Sequence, residues 1–217
     1  MIKRLIIILA LLMPVIATAC SRNGNEAQPI TSSDTTSTAA PAAAPMPPMP
    51  DKPTGTAWIV ISKRDMTLSV YDRSEKGDTL MVAQFPCCMG KNKGDKVKRG
   101  DMRTPESPAG KPFRITMIQD ASTWHHDFND GRGSILAYGH WFLRLETPGH
   151  RGIGIHGSTN NEGTVPGRAS EGCIRLLDKD IITLKEHFAY VGMPVTVQPE
   201  GAAPLPWELR ARQRNAK

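Results

Sequence analysis

Residues 153–157 read Ile153-Gly154-Ile155-His156-Gly157, and after 12 intervening residues the chain continues Ser170-Glu171-Gly172-Cys173-Ile174-Arg175. The first run, from Arg151 to His156, reads as a short strand that ends on an imidazole. The second reads as a tight turn, because Gly172 directly before Cys173 is free to adopt positive φ. A thiol on such a turn, with backbone N–H groups close by, is arranged as a nucleophile whose oxyanion those groups receive. Only the thiolate attacks, and a free thiol with a pKa of about 8.5 is mostly protonated at neutral pH, so a base is required. His156, at the mouth of its strand, is the candidate among six histidines. Alone it also reads as a surface-loop histidine.

Outward from these runs the chain alternates short β-branched stretches with turns. Trp58–Ser62, Thr67–Asp72 and Thr79–Phe85 read as a β-meander. Arg114–Gln119, Trp141–Glu146 and Pro194–Gln198 continue the series, with Gly and Pro between them. One stretch has helical period: Leu177, Ile181, Leu184, Phe188 and Val191 recur three or four residues apart. Asp178 is placed to cap its start, and Gly192 with Pro194 to stop it. The expected fold class is therefore mainly β, a sandwich or meander with one packed C-terminal helix. Besides Cys173 and Cys20 there are Cys87 and Cys88. Neighbours bridge poorly and point to opposite faces of a strand, so their redox state stays open.

The chain has 217 residues and a net charge of +6, but not all of it is core-forming. Lys3 and Arg4 precede an apolar run from Leu5 to Ile16 and the small residues Ala17-Thr18-Ala19, the layout of a signal peptide over residues 1–20. The run is shorter than the roughly 20 residues a membrane span needs. Residues 21–54 are rich in Pro, Ala, Ser and Thr and read as a disordered tether. That leaves residues 55–199 as one domain and 200–217 as a basic tail. Between residues 54 and 204 there are 19 basic and 17 acidic side chains. A nearly neutral domain lacks the concentrated basic face of a nucleic-acid binder. The segment Lys91–Arg103, with six basic and two acidic residues, reads as a solvated loop or as an attractor of carboxylates.

His156-Gly157 linked to Ser170-Glu171-Gly172-Cys173-Ile174-Arg175 resembles the signature of the L,D-transpeptidase catalytic domain, the YkuD family. Gly100-Asp101-Met102-Arg103-Thr104-Pro105-Glu106, Tyr138-Gly139-His140-Trp141, the opening run Ala57–Gly90 and Gly192-Met193-Pro194-Val195 extend the likeness over about residues 55–199. The resemblance implies acyl transfer on peptidoglycan stem peptides. The thiolate of Cys173 attacks the carbonyl before the terminal D-Ala, and an amine resolves the thioester, giving a cross-link or an anchoring bond. It also implies that His156 is the general base and that the Gly172 and Cys173 N–H groups form the oxyanion hole. Gly157 or Ser158 orients the histidine, Ser170 bonds within the turn, Arg175 fixes the loop or binds a carboxylate, and Tyr138 belongs to the same orienting or substrate-binding set.

Cys20 after Ala17-Thr18-Ala19 resembles the lipidated cysteine of bacterial lipoproteins, although Ala17 stands where Leu is usual; cleavage after Ala19 to a soluble secreted product is the alternative. Either route leads to the periplasm or cell envelope. Glu171 departs from the histidine many family members carry, and is expected to point away from the nucleophile or to meet a cationic acceptor amine. Two other functions stay open: a hydrolase of the same fold, acting as an L,D-carboxypeptidase or on wall linkages, and a non-catalytic wall-binding lipoprotein. A papain-like peptidase is disfavoured because His156 precedes Cys173 in the chain. Adjacent Cys87-Cys88 and His125-His126 lack the spacing of a zinc site, no cofactor is called for, and a monomer is expected.

Overall fold

The computed structural model describes residues 46–205 and Leu209. The signal segment, Cys20, the tether up to residue 45 and most of the basic tail lie outside the described residues. Twelve strands and one helix follow in order: β1 (Trp58–Ser62), β2 (Thr67–Arg73), β3 (Thr79–Pro86), β4 (Cys88–Gly90), β5 (Phe113–Asp120), β6 (His125–Asp127), β7 (Ser134–Leu136), β8 (Trp141–Leu145), β9 (Gly154–His156), β10 (Gly167–Ser170), β11 (Ile174–Arg175), α1 (Asp178–His187) and β12 (Pro194–Gln198). Ten of the strands form one mixed sheet in the order β10-β4-β11-β9-β8-β5-β12-β1-β2-β3, and β6 with β7 makes a separate hairpin. Over residues 46–205 the chain is mainly β with one packed α-helix and a single 3-10 turn at Glu162–Thr164, as its patterning predicts for the fold class.

The meander β1-β2-β3 is antiparallel, and the β-branched residues of β1 meet apolar partners across it, Ile59 opposite Val70 and Ile61 opposite Leu68. β12 lies parallel to β1 on its other side, with Val195 opposite Ile59 and Val197 opposite Ile61. β5 joins the two halves: Phe113 and Arg114 pair with β12, while residues 115–120 pair with β8. One core draws on both halves, with Ile59, Leu68 and Val70 from the meander and Leu143, Ile155 and Ile174 from the other half.

The short strands β4, β6, β7, β10 and β11 escape the sequence pattern, since two to four residues are too few to show alternation. The strand expected from Arg151 begins only at Gly154, because Gly152 takes φ 78° and turns the chain. Cys87 and Cys88 are fully buried free thiols, and burial pushes the Cys87 thiol well above its ordinary range.

Two expectations about the helix are corrected. Leu177, not Asp178, is the N-cap residue, and it supplies no side-chain cap. The carboxylate of Asp178 instead accepts the Ser158 N–H at 2.7 Å and the Thr159 hydroxyl. Val191 lies beyond the helix and is 62 % exposed. A missing cap costs about 1 kcal/mol, whereas burying Ile181, Leu184 and Phe188 contributes roughly 1.5–3 kcal/mol each, so core packing fixes α1. The described end of the tether is tied down: the Pro50 carbonyl accepts from His187 Nδ1 at 2.7 Å, and the Thr54 hydroxyl donates to Asp72 at 2.7 Å.

Behind the cleft described below, Gly139 and Gly157 lie back to back. Gly139 has φ 67°, and a Cβ there would meet the Asp178 carboxylate and come within 2.7 Å of the Gly157 α-carbon. Gly139→Ala therefore combines left-handed strain with overpacking against backbone, and should cost about 2–4 kcal/mol. Urea denaturation checks this, and an unchanged midpoint would contradict the packing described.

Candidate active site

β9 and β11 run parallel with Ile174 opposite Ile155 and Arg175 opposite His156. Extending that register by one residue sets Cys173 level with Gly154. Because side chains alternate, Cys173, Arg175 and His156 share one face while Ile155 and Ile174 point into the core. Two residues along and one strand across corresponds to roughly 8 Å between the α-carbons of Cys173 and His156. Both side chains line one cleft of about 290 Å³, together with Tyr138, His126, Phe128 and Arg175. In sequence only Cys173 with Arg175 and His126 with Phe128 are close neighbours. The sheet brings them together.

His156 is buried, and its Nδ1 lies 2.7 Å from the Gly157 carbonyl. A carbonyl only accepts, so Nδ1 carries the proton and Nε2 presents a lone pair. The ring stacks on Phe142 at 5.7 Å with 13° between planes, and the Tyr138 ring lies 4.8 Å away. Burial, helped by the Arg175 guanidinium, pushes the imidazole pKa down to about 3. His156 is therefore neutral at physiological pH.

The Cys173 S–H donates to the Gly152 carbonyl at 3.3 Å. Burial raises the thiol pKa; the Gly154 N–H, Arg175 and Lys96 oppose that rise and Glu171 adds to it. At rest the pair is thus neutral thiol and neutral imidazole. Gly172 has φ 140°, and a Cβ there would come within 2.8 Å of the Arg103 carbonyl, so the turn admits only glycine. Its N–H is not turned to the cleft as expected for an oxyanion donor: it donates to Ser170 Oγ at 3.1 Å. The Ser170 hydroxyl in turn donates to the Cys173 carbonyl at 2.6 Å. Ser170 thereby occupies one of the two anticipated donors and rigidifies the turn.

The remaining candidates take different places. Gly157 supplies the carbonyl that orients His156, whereas the Ser158 hydroxyl is buried without a hydrogen-bond partner. The Tyr138 carbonyl accepts the Gly157 N–H at 2.8 Å, which fixes the turn after β9. Arg175 is buried, with its guanidinium 4.9 Å above the Phe128 ring and one long bond of 3.4 Å to the Thr164 hydroxyl. Glu171 does not point away: it lines the cleft, its Oε2 3.2 Å from His126 Nε2. Phe128 and Phe142 carry no signal in the sequence, while His126 reads there only as half of an adjacent histidine pair and Lys96 only as part of the basic run 91–103. His126 and Phe128 sit on or beside the β6-β7 hairpin, whose three-residue strands leave no periodic signal.

The family model of the L,D-transpeptidase catalytic domain, YkuD, matches residues 56–197. The chain belongs to this family. Members act on peptidoglycan stem peptides. Among solved structures, this YkuD chain is similar to Bd1075 of Bdellovibrio bacteriovorus, at 17 % identity and a TM-score of 0.49 over 77 % of this chain and 58 % of that one. It is also similar to the helical cell shape determining protein Pgp2 of Campylobacter jejuni, at 20 % identity and a TM-score of 0.47 over 72 % of this chain and 52 % of that one. An L,D-transpeptidase from Mycobacterium smegmatis is similar at 23 % identity and a TM-score of 0.43, over 65 % of this chain and 58 % of that one. The chain thus spans less than two thirds of the length of each. A comparison with curated proteins gives no match.

Within the YkuD cleft the buried imidazole has a consequence for stability. His156 binds no proton in the folded state until about pH 3, while an unfolded histidine binds one below about pH 6.5. Between those values the unfolded state holds more protons, so stability falls as pH drops, by up to about 1.4 kcal/mol per unit. His156→Gln should flatten this part of the acid limb, measured as urea midpoints from pH 7 to pH 4. An NMR titration showing wild-type His156 charging near pH 6 would contradict the assignment.

Proposed function

We propose that this chain is a cysteine-dependent L,D-transpeptidase of the cell envelope, acting on peptidoglycan stem peptides through a thioester at Cys173. One observation carries the reading: His156, with its Nδ1 proton committed to the Gly157 carbonyl, shares a cleft with Cys173 and keeps Nε2 for a proton. In the proposed cycle, a stem peptide enters with the carbonyl before its terminal D-Ala at Sγ. The Cys173 proton passes to Nε2 as the sulfur attacks, and the imidazolium returns it to the departing D-Ala amine. An acceptor amine then attacks the thioester, losing its proton to Nε2, and Cys173 leaves as the thiol after reprotonation. The Cys173 N–H is the proposed oxyanion donor, since the Gly172 N–H is taken by Ser170.

Arg175 is the group proposed to hold a substrate carboxylate. It is a buried cation with a single long hydrogen bond and an Nε without a partner, so an entering anion would relieve its desolvation. Export by the N-terminal apolar segment and tethering through a lipidated Cys20 would put the domain where its substrate is; the basic flank Lys3-Arg4 and the small residues before Cys20 support this.

The test is incubation of the purified protein with disaccharide tetrapeptide, followed by mass spectrometry. A dimer that has lost one D-Ala is expected, and Cys173→Ala should lower its yield by more than about a thousandfold. Tripeptide alone would reassign the protein as a hydrolase. Turnover retained in Cys173→Ala would overturn the thioester route.

A further inference from the structure

Lys96 lies on the loop between β4 and β5 and is only 8 % exposed. Its Nζ is 2.8 Å from Asp101 Oδ1 and donates to the Arg103 carbonyl at 3.4 Å. Asp101 also accepts the N–H groups of Val97 at 2.7 Å and of Lys98 and Arg103 at 3.1 Å. Burial works against the Asp101 charge, but the Lys96 ammonium and these three N–H groups hold its carboxyl well below the usual carboxylate range. The pair is therefore ionic and oriented. Its positive end faces the chemistry: Lys96 lines the cleft with Cys173 whereas Asp101 does not, and a Cβ built on Gly172 would stand 3.4 Å from Nζ.

The charges facing the thiol come from several elements. Arg99 on the same loop and Arg151 before β9 are exposed, so solvent and salt screen them. Arg175 on β11 and Lys96 are buried and act through a poorly screened interior. Glu171 is the opposing anion, held beside His126 of β6, and His156 and Tyr138 face the sulfur uncharged. Removing either buried cation leaves Glu171 weakly opposed.

We propose that Lys96, pinned by Asp101 against the Gly172 turn, is a positioning residue whose ammonium stabilises negative charge on the Cys173 sulfur as its proton moves to His156. This rests on Cys173 as the nucleophile, and its test needs no peptidoglycan. In alkylation by iodoacetamide the sulfur forms a bond to carbon and iodide leaves. The rate follows the thiolate fraction, and Cys87 and Cys88 are buried from the reagent. The rate is read by mass on the Cys173 peptide of the full chain from pH 5 to pH 10, alongside the unfolding midpoint.

A buried, poorly screened opposite charge lining the same cleft favours the thiolate, and a shift of about one unit is the usual scale for such a neighbour. Lys96→Met should therefore raise the alkylation midpoint by about one pH unit and slow the reaction near neutrality about tenfold, and Lys96→Arg should restore most of the loss. Asp101→Asn, which leaves the ammonium without its counter-charge, should move the midpoint the other way. A role confined to holding the loop predicts the same direction for the Met and Asn variants, and that result overturns the proposal. So does a folded Lys96→Met protein with the wild-type midpoint. Wild-type protein that yields no peptidoglycan product while these shifts persist would sink the transpeptidase reading and leave the role of Lys96 standing.

Discussion

The site depends on a parallel ladder only two residue pairs long, Ile155 with Ile174 and His156 with Arg175. A slip of one residue would turn Cys173 into the core and Ile174 into the cleft, since side chains alternate with period two. The register is held by what lies on its inner face. Ile155, Ile174 and Leu176 are fully buried, and exposing any of them would forfeit roughly 1.5–3 kcal/mol. The Leu176 N–H extends the ladder to the His156 carbonyl at 2.8 Å. The core thus fixes the chemistry from behind: the isoleucines set the register, and the register sets which polar side chains meet.

Burial also decides the resting charge state. With the imidazole pushed down to about 3 and the thiol pushed up, moving the proton from sulfur to nitrogen is uphill in the free protein. A preformed thiolate–imidazolium pair does not fit this arrangement. In the proposed cycle, charge separation therefore coincides with attack, when the sulfur's negative charge disperses onto the acyl group. In that cycle, fixed positive groups near the sulfur would lower the barrier without deprotonating the thiol in advance.

Much of the fold is legible in the chain because the long strands β1, β2, β3 and β5 carry β-branched or alternating runs and β8 a five-residue stretch of large apolar side chains broken only by Arg144. Only in part is the site equally legible. His156 and Cys173 announce themselves through flanking glycines, each of which the structure requires for close approach. Tertiary contacts carry the rest. Asp178 reads locally as a cap, yet its carboxylate is captured by Ser158 and Thr159 from a segment about twenty residues earlier. Gly172 reads as an oxyanion donor until the Ser170 hydroxyl, two residues away, takes its N–H. Glu171 meets a histidine on a hairpin that the pattern does not reveal.

The basic segment 91–103 shows how composition misleads when counter-charges are local. Counted by charge it is a solvated loop, but two buried lysines pin it. Lys63 of the β1-β2 turn, 1 % exposed, donates to the Gly94 carbonyl at 2.8 Å, the Thr104 carbonyl at 2.6 Å and Glu106 at 2.9 Å. Burial lowers its pKa, and Glu106 is the main group resisting that change. Lys96 ties the loop to itself through Asp101. An ammonium taken out of water costs several kcal/mol unless its protons are matched, and Lys63 has three acceptors for its three protons. Lys91, Lys93, Lys98 and Arg99 of the segment stay exposed, and Arg103 is half-buried. The loop therefore divides its own positive charge between two duties: buried Lys96 pins it as a wall of the cleft, while the exposed residues leave its outer rim cationic, where, in the proposed function, an anionic stem peptide approaches.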